Sequence, residues 1–389
     1  MVADRVVIVG GGIGGMALAA ALTRRGISSL VLEQAPALGE VGSGLGVLPS
    51  AVHALRSIGV GDDLFASAEP LREMRVASHR GRDLSEIDLT PIFERVGAMG
   101  YIMHRTALHA SLARRVDEAH VRTGARVSAI REDGSGVIVQ VEGSDEPIRA
   151  DLVVGADGLR SVVRKHVLDD SAPRYAGETI FRGIADLELG APGVSREIFG
   201  PGCRLGHYPI GRGQTYYWVT SPEAEGTRIA PSDRAGHLRK QLAGWPFGAP
   251  DLIEKTPPDR ILQNDIFDRP PTRRWHRGRI VLLGDAAHPT TPNMGQGACM
   301  AIEDATVLAR LLTEHDDLER ALQAYERARL ARTTMITRMS SLWGSIGLWQ
   351  SPALTWLRDG MYRATPDKIF ERILLSQYAY RPDLAEPPS

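Results

Sequence analysis

A chain of 389 residues, 43% hydrophobic and 24% charged, carries enough apolar material to bury cores in two or three domain-sized units. Its formal net charge of −1 excludes a global field that would recruit nucleic acid or an anionic membrane, and no apolar run approaches the ~20 residues of a membrane span. Cys203 and Cys299 lie far apart without metal-ligand spacing, and the chain starts without the charged region and cleavage site of a secretory signal, so the expectation is a reduced, cytoplasmic protein with no metal site.

The run Val6-Val7-Ile8-Val9 is continuously apolar, which predicts a strand buried on both faces of a parallel sheet. A Gly-rich turn follows, then a helix over residues 16–25 closed by Gly26, and a second strand over 29–33. Residues 106–119 predict a helix, 125–130 and 136–142 a hairpin, and 151–155 another buried strand. From residue 175 to 268 the pattern changes to short alternating segments, at 179–185, 203–209 and 215–220, divided by Gly and Pro turns. That is the pattern of a mainly antiparallel sheet in a second domain, which residues 71–89 are expected to join. A strand over 279–284 leads back to the first domain and a long helix opens near Gly297. The tail, residues 327–380, is helix-rich, with Trp343, Trp349 and Trp356 as packing residues.

Gly10-Gly11-Gly12-Ile13-Gly14-Gly15 satisfies G-x-G-x-x-G between a strand and a helix. Gly10 permits a tight turn, Gly12 lets the backbone approach a pyrophosphate, and Gly15 allows close helix–strand packing, while Gly14 stands in the same turn. The helix N-terminus offers free N–H groups and a positive dipole end to the phosphates. Glu33 stands 18 residues beyond Gly15, at the end of the second strand, where a carboxylate can accept ribose hydroxyls. The motif serves NAD and FAD alike.

Two further segments decide between them. One is Asp151-Leu152-Val153-Val154-Gly155-Ala156-Asp157-Gly158-Leu159-Arg160-Ser161. The other is Gly284-Asp285-Ala286-Ala287-His288-Pro289, followed by Pro292, Gly295-Gln296-Gly297 and Glu303-Asp304-Ala305. With the first motif, and in that order, the chain resembles the flavoprotein hydroxylases related to para-hydroxybenzoate hydroxylase. Within them it is similar to the group of salicylate hydroxylase, 3-hydroxybenzoate 6-hydroxylase, FAD-dependent urate hydroxylase and zeaxanthin epoxidase. The resemblance implies an α/β fold: a Rossmann-like FAD-binding domain with an inserted, mainly antiparallel β substrate domain and a C-terminal helical region. The FAD-binding domain would be discontinuous, residues 1–70, 101–174 and 269–326. Residues 71–100 and 175–268 would form the substrate domain and 327–389 the helical region.

The resemblance also implies roles. Non-covalent FAD would be reduced by NAD(P)H, with O2 as the source of one oxygen atom inserted into a small aromatic or polycyclic substrate. Asp285 would bond the ribityl chain and Arg105 would hold the pyrophosphate and ribityl region as a bidentate cation. The backbone at Val127 would meet the adenine. The loop at Ser43 and Gly44, and the turn at Gly295, Gln296 and Gly297, would lie against the isoalloxazine. Asp157 would be mainly structural while shaping a groove for NAD(P)H. Independently, a reduced flavin is negative around N1 and the C2 carbonyl, and a Gly-Gln-Gly turn opening a helix supplies N–H groups and a positive dipole end there. His288 reads as a structural histidine, and Glu303 and Asp304 as acids favoured by the dipole of an early helical turn.

In this chemistry the cofactor performs the difficult step and the protein positions the substrate and excludes water. In the segment Arg204-Leu205-Gly206-His207-Tyr208-Pro209, Arg204, Gly206 and Tyr208 share a face; in Thr215-Tyr216-Tyr217-Trp218, Tyr216 and Trp218 oppose Tyr217. The resemblance makes Arg204 and Tyr216 a substrate-gripping pair, as in urate hydroxylases, with Arg182 a third candidate. Ile180-Phe181-Arg182 replaces the small polar residues of that subfamily, which argues against urate. Other readings stand beside this one: an epoxidase of an isoprenoid or polyene double bond, and a non-enzymatic binding protein on the same fold. A halogenase is disfavoured because no lysine precedes Lys165 and its W-x-W-x-I-P signature is missing. No second G-x-G-x-x-G opens a nicotinamide domain, so the reductant is expected to bind transiently to a monomer or homodimer.

Overall fold

The computed structural model describes residues 3, 5–39, 43–168 and 172–384. Val6–Val9 lies inside a six-stranded sheet, parallel to Leu152–Gly155 on one side and Ser29–Leu32 on the other. All four of its residues are buried, which is why the run is apolar throughout instead of alternating. Ile280–Leu282 extends the sheet beyond Leu152–Gly155, and Val121–Arg122 ends it beyond Ser29–Leu32. The helix Ile13–Arg24 buries Ala17, Ala19, Ala20 and Ala21, small residues that let the helix Gly297–Glu314 pack close beside it. Gly10, at φ 107°, turns the chain from strand to helix. A side chain at Gly15 would collide with the Gly10 carbonyl, so that position has room only for hydrogen.

A seven-stranded sheet forms the other wall of the molecule. Its order is Leu262–Asp268, Arg174–Ala185, Thr215–Ser221, Arg204–Pro209, Val194–Phe199, Glu73–Ser78 and Asp83–Asp88. Every pairing is antiparallel except that of Val194–Phe199 with Glu73–Ser78, two strands drawn from distant parts of the chain. The C-terminal helices are Leu318–Gly347, Pro352–Ala364 and Asp367–Tyr378. Among the described residues no helix is long and apolar enough to cross a membrane, and no cluster of His, Cys, Asp and Glu could hold a metal ion.

Two local expectations are corrected. The helix expected over 106–119 runs only over Arg105–Ala113, and a separate 3-10 turn, Glu118–His120, follows. Asp117 accepts from the Ala119 N–H at 2.9 Å, and this local side-chain bond starts a new turn in place of the old helix. Glu303 and Asp304, expected as acids favoured by the dipole of an early helical turn, are held by more than the dipole. Both are fully buried in the helix Gly297–Glu314 and paired with arginines of Leu318–Gly347. Arg329 donates to Asp304 Oδ1 and Glu303 Oε2, each at 2.7 Å, and Arg332 donates to both oxygens of Glu303 at 2.7 Å.

Burial by itself raises the Asp304 carboxyl, but His288 and Arg329 overcome it and hold the group down to about 2. A carboxyl depressed from its ordinary 3.8 adds stability that is present above that value and lost as pH falls toward 2. Replacing Arg329 with alanine removes one cation from two buried carboxylates, leaving Glu303 to Arg332 and Asp304 to His288. The expected cost is about 3–5 kcal/mol in chemical denaturation, and the difference from the parent protein should shrink below pH 4 as the acids become neutral. A loss under ~1 kcal/mol would place this cluster among ion pairs of little net worth.

Candidate active site

A cavity of about 630 Å³ is bounded on one side by the Gly-rich turn and the Gly284–Gly297 stretch, and on the other by the seven-stranded sheet. Two helices open onto it. Ile13–Arg24 starts at Gly12 and Gly297–Glu314 starts at Gln296, and neither start has a side-chain cap, so their first N–H groups remain available to a bound anion. Gly12 and Gly295 face this space with nothing within 4 Å of where a Cβ would stand. Gly14, Ser43, Gly44, Arg105, Asp285 and Gly297 also line the cavity. The Arg105 N–H donates to the Ser43 carbonyl at 2.9 Å, which ties the loop to the start of the helix Arg105–Ala113. Asp285 is accessible from the cavity; surrounding protein raises its carboxyl, with His288 and Arg105 partly offsetting this. Open glycine faces, two uncapped helix starts, a cation and an acid form a set that fits a dinucleotide with a pyrophosphate and a hydroxylated chain.

Other residues singled out from the sequence stand further back. Glu33 accepts from Gly11 N–H at 2.6 Å and Ala35 N–H at 2.7 Å, so both its oxygens help fasten the Gly-rich turn. Val127 is buried at the start of Val127–Glu132, opposite Val141, and Gln296 is buried with its amide donating to Gln377. Neither lines the cavity. Asp157 accepts from Ser161 Oγ at 2.5 Å and from the Val162 and Val163 N–H groups, a capping role for the turn after Leu152–Gly155. His288 Nε2 donates to Asp304 at 2.5 Å, buried against Trp275.

The floor of the substrate end is a set of cross-strand rows. Arg182, Trp218, Gly206, Glu197 and Val76 lie side by side on successive strands; Ile180, Thr220, Arg204 and Phe199 form the adjacent row. A Cβ at Gly206 would lie inside the Trp218 ring, so the indole lies across this glycine. Tyr216 sits over Gly44 in the same way, joining the floor to the loop at residues 43–46. Tyr217 faces the opposite side of the sheet, against Gly183, as period 2 requires. Arg182 donates to Asn264 Oδ1 at 2.8 Å, and both Arg182 and Tyr216 line the cavity.

Arg204 and Tyr216 both line the cavity but are not cross-strand partners: Arg204 faces Thr220, and Tyr216 faces Tyr208. The Arg204 side chain is only 3% exposed. It donates to Glu178 at 3.2 Å, Glu197 at 3.3 Å and Thr220 at 3.3 Å, and to Asn293. Side chains at Gly344 and Gly347 would collide with Asn293 and Arg204, so this stretch of Leu318–Gly347 closes over the cluster by having none. Sequence reasoning missed Glu178, Glu197, Asn293, Gly344 and Gly347. Alternation of Ser195 and Glu197 against Ile198 was a usable signal for the strand bearing Glu197; the rest are joined only by the fold.

Known proteins share this arrangement. The solved structure of HpxO from Klebsiella pneumoniae complexed with FAD and uric acid superposes with a TM-score of 0.90, at 28% identity, covering 96% of each chain. In sequence, the chain is 40% identical to aurachin C monooxygenase/isomerase of Stigmatella aurantiaca over 92% of its own length and 93% of that protein's. It is 34% identical to 2-heptyl-3-hydroxy-4(1H)-quinolone synthase of Pseudomonas aeruginosa, over 95% and 96%. Residues 4–340 match the model of the FAD binding domain family. The chain belongs to that family, and it is an FAD-dependent monooxygenase.

Proposed function

We propose that this enzyme hydroxylates a flat, fused-ring aromatic of the quinolone kind, held between the Trp218 floor and the flavin. The observation that carries the reading is one continuous cavity in which uncapped helix starts and Asp285 face an aromatic floor of Tyr216 and Trp218. The similarity to a quinolone synthase supports the ring class. In the overall reaction one atom of O2 replaces a ring hydrogen as hydroxyl and the other leaves as water, with NAD(P)H and a proton supplying the reducing equivalents. FAD, when bound, relays those electrons to O2 and delivers the oxygen. The chain's own groups do the rest. Arg105 and the N–H groups after Gly12 would hold the diphosphate of FAD, and Asp285 would accept from its ribityl hydroxyls. The N–H groups of the turn at Gly295 and Gly297 would stabilise negative charge on the reduced flavin. Tyr216 and Arg182 position the ring edge, and the seven-stranded sheet keeps water from it.

The reductant has a second place to meet the protein. Beside Asp157, a cavity of about 470 Å³ is lined by Arg160, Lys165 and Arg269, cations suited to a nucleotide phosphate. In this reading Asp157 shapes that groove by holding the turn that carries Arg160 and Lys165.

Purified protein should carry one FAD per chain, releasable by acid, and a 4(1H)-quinolone should stimulate NAD(P)H oxidation with a hydroxylated product. Stimulation without product, or none with any aromatic ring, overturns the reading. Asp285→Ala should weaken FAD retention tenfold or more, since losing a charged acceptor costs about 1.5–3 kcal/mol; equal affinity by dialysis and fluorescence would remove Asp285 from that role. Arg160→Ala should raise the KM for NAD(P)H about tenfold at unchanged FAD content, the worth of one charge-assisted bond. An unaltered KM would send the reductant site elsewhere.

A further inference from the structure

Arg204 is the obvious group to grip an anionic substrate, yet its environment argues otherwise. Its side chain is almost wholly covered, and its donors go to Glu178, Glu197, Asn293 and Thr220. Glu178 is as buried as the arginine, and its second oxygen accepts from Asn293 Nδ2 at 3.2 Å. Two carboxylates therefore share one guanidinium. Arg358, the other cation whose charge acts on Glu197, is itself bonded to Asp359 at 3.0 Å, so it leaves no surplus positive charge here.

Glu197 is the member of the cluster that opens outward. Its side chain is 26% exposed, it lines the cavity, and it stands beside Gly206 in the row that carries Trp218. Among the described residues its one hydrogen bond is to Arg204, which leaves acceptor capacity on the carboxylate for something in the cavity. The other acid near this floor, Asp265, is already engaged by Arg228, Thr179 and the Gly226 N–H. A ring lying on the Trp218 indole would have its edge along that row, with Glu197 at one end and Arg182 at the other.

We propose that Glu197, fixed by Arg204, is the group that meets the substrate, and that it selects an uncharged aromatic ring with an N–H or O–H donor over a ring carboxylate. This rests on the monooxygenase reading above and narrows its substrate. Arg204 is then a positioning residue: it orients Glu197 and offsets its charge without touching substrate. A substrate carboxylate would meet a cluster with two acids to one cation and find Arg204 occupied. A donor N–H finds an oriented acceptor, and a site built for one rejects analogues that lack it. Burial pushes the Glu197 carboxyl above its ordinary value against the pull of Arg204.

The test is binding to the FAD holoenzyme, read from perturbation of the flavin spectrum, which needs no turnover. Three probes are titrated: 4(1H)-quinolone, its N-methyl derivative and 3-hydroxybenzoate. The quinolone should bind at least tenfold more tightly than either of the others. In Glu197→Leu, which removes the acceptor, the advantage over the N-methyl ring should fall to threefold or less, and with one of the cluster's two acids gone the advantage over 3-hydroxybenzoate should shrink as well. Glu197→Gln keeps an acceptor oxygen and should retain the N-methyl penalty. Tighter binding of 3-hydroxybenzoate by the parent enzyme overturns the proposal, as does no perturbation by the quinolone. An N-methyl penalty that persists in Glu197→Leu also overturns it, because the penalty is then steric. If a variant does not fold, the parent enzyme's ranking of the three probes still decides. Tight, N–H-dependent binding without oxygenation would instead count against the monooxygenase reading of this substrate and leave the recognition role intact.

Discussion

A single buried carboxylate fixes the geometry on which the cofactor end depends. Asp304 Oδ2 accepts from the Gly284 N–H at 3.0 Å and pairs with His288, while Oδ1 accepts from Arg329 at 2.7 Å. One side chain thus joins the helix Gly297–Glu314, the turn that presents Asp285, and the long helix Leu318–Gly347. Glu303 doubles the link through Arg329 and Arg332, and Arg332 reaches on to Ser50 at 3.3 Å. Tyr380 covers both arginines from the C-terminal segment, 4.9 and 4.6 Å from its ring centre. Apolar residues of the same volume could pack these helices with comparable stability, since desolvating charges offsets most of what their pairing returns. Directional bonds set the angle of the Gly284 turn as apolar packing does not, and Asp285 must be aimed.

Side chains that are missing shape the substrate end as much as those present. Trp218 lies flat because position 206 is glycine, Tyr216 reaches the loop at residues 43–46 because position 44 is, and Arg204 fits beneath the long helix because position 347 is. Each replaces a Cβ by an aromatic or guanidinium plane in van der Waals contact with backbone. Glycine weakens a strand or helix that contains it, and here the ring or plane laid across it restores the contact.

The fold was legible where chemistry is local. Val6–Val9, the Gly-rich turn and the Gly284 turn announce themselves within a few residues, and period 2 placed Tyr216 and Trp218 on one face against Tyr217. Legibility failed where a side chain's meaning lies with a distant partner. Arg204 reads alone as an available cation, but Glu178 is 26 residues away in sequence and Asn293 89. Glu303 and Asp304 read only as acids suited to a helix dipole because the arginines that claim them stand on the next helix, 25 to 29 residues on. Composition shows the same letters for a buried ion pair and two surface charges. Only packing distinguishes them.

The two ends of the cavity make opposite electrostatic demands, and the chain meets them with different materials. A dinucleotide brings permanent negative charge, and a reduced flavin adds more. The groups that face it are largely backbone N–H donors at helix starts, supplemented by Arg105, and together they attract anions. The substrate floor instead pairs most of its charges: Arg204 against Glu178 and Glu197, and Arg75 against Glu73 and Glu86, while Arg182 is held by the neutral Asn264. A small anion entering the cavity is therefore drawn to the helix starts, and finds little to hold it at the Arg204 end of the sheet. A flat neutral ring loses nothing by that arrangement, since stacking on Trp218 and one directed hydrogen bond do not depend on net charge. Partition of charge between the two walls keeps cofactor and substrate from competing for the same groups within one continuous space.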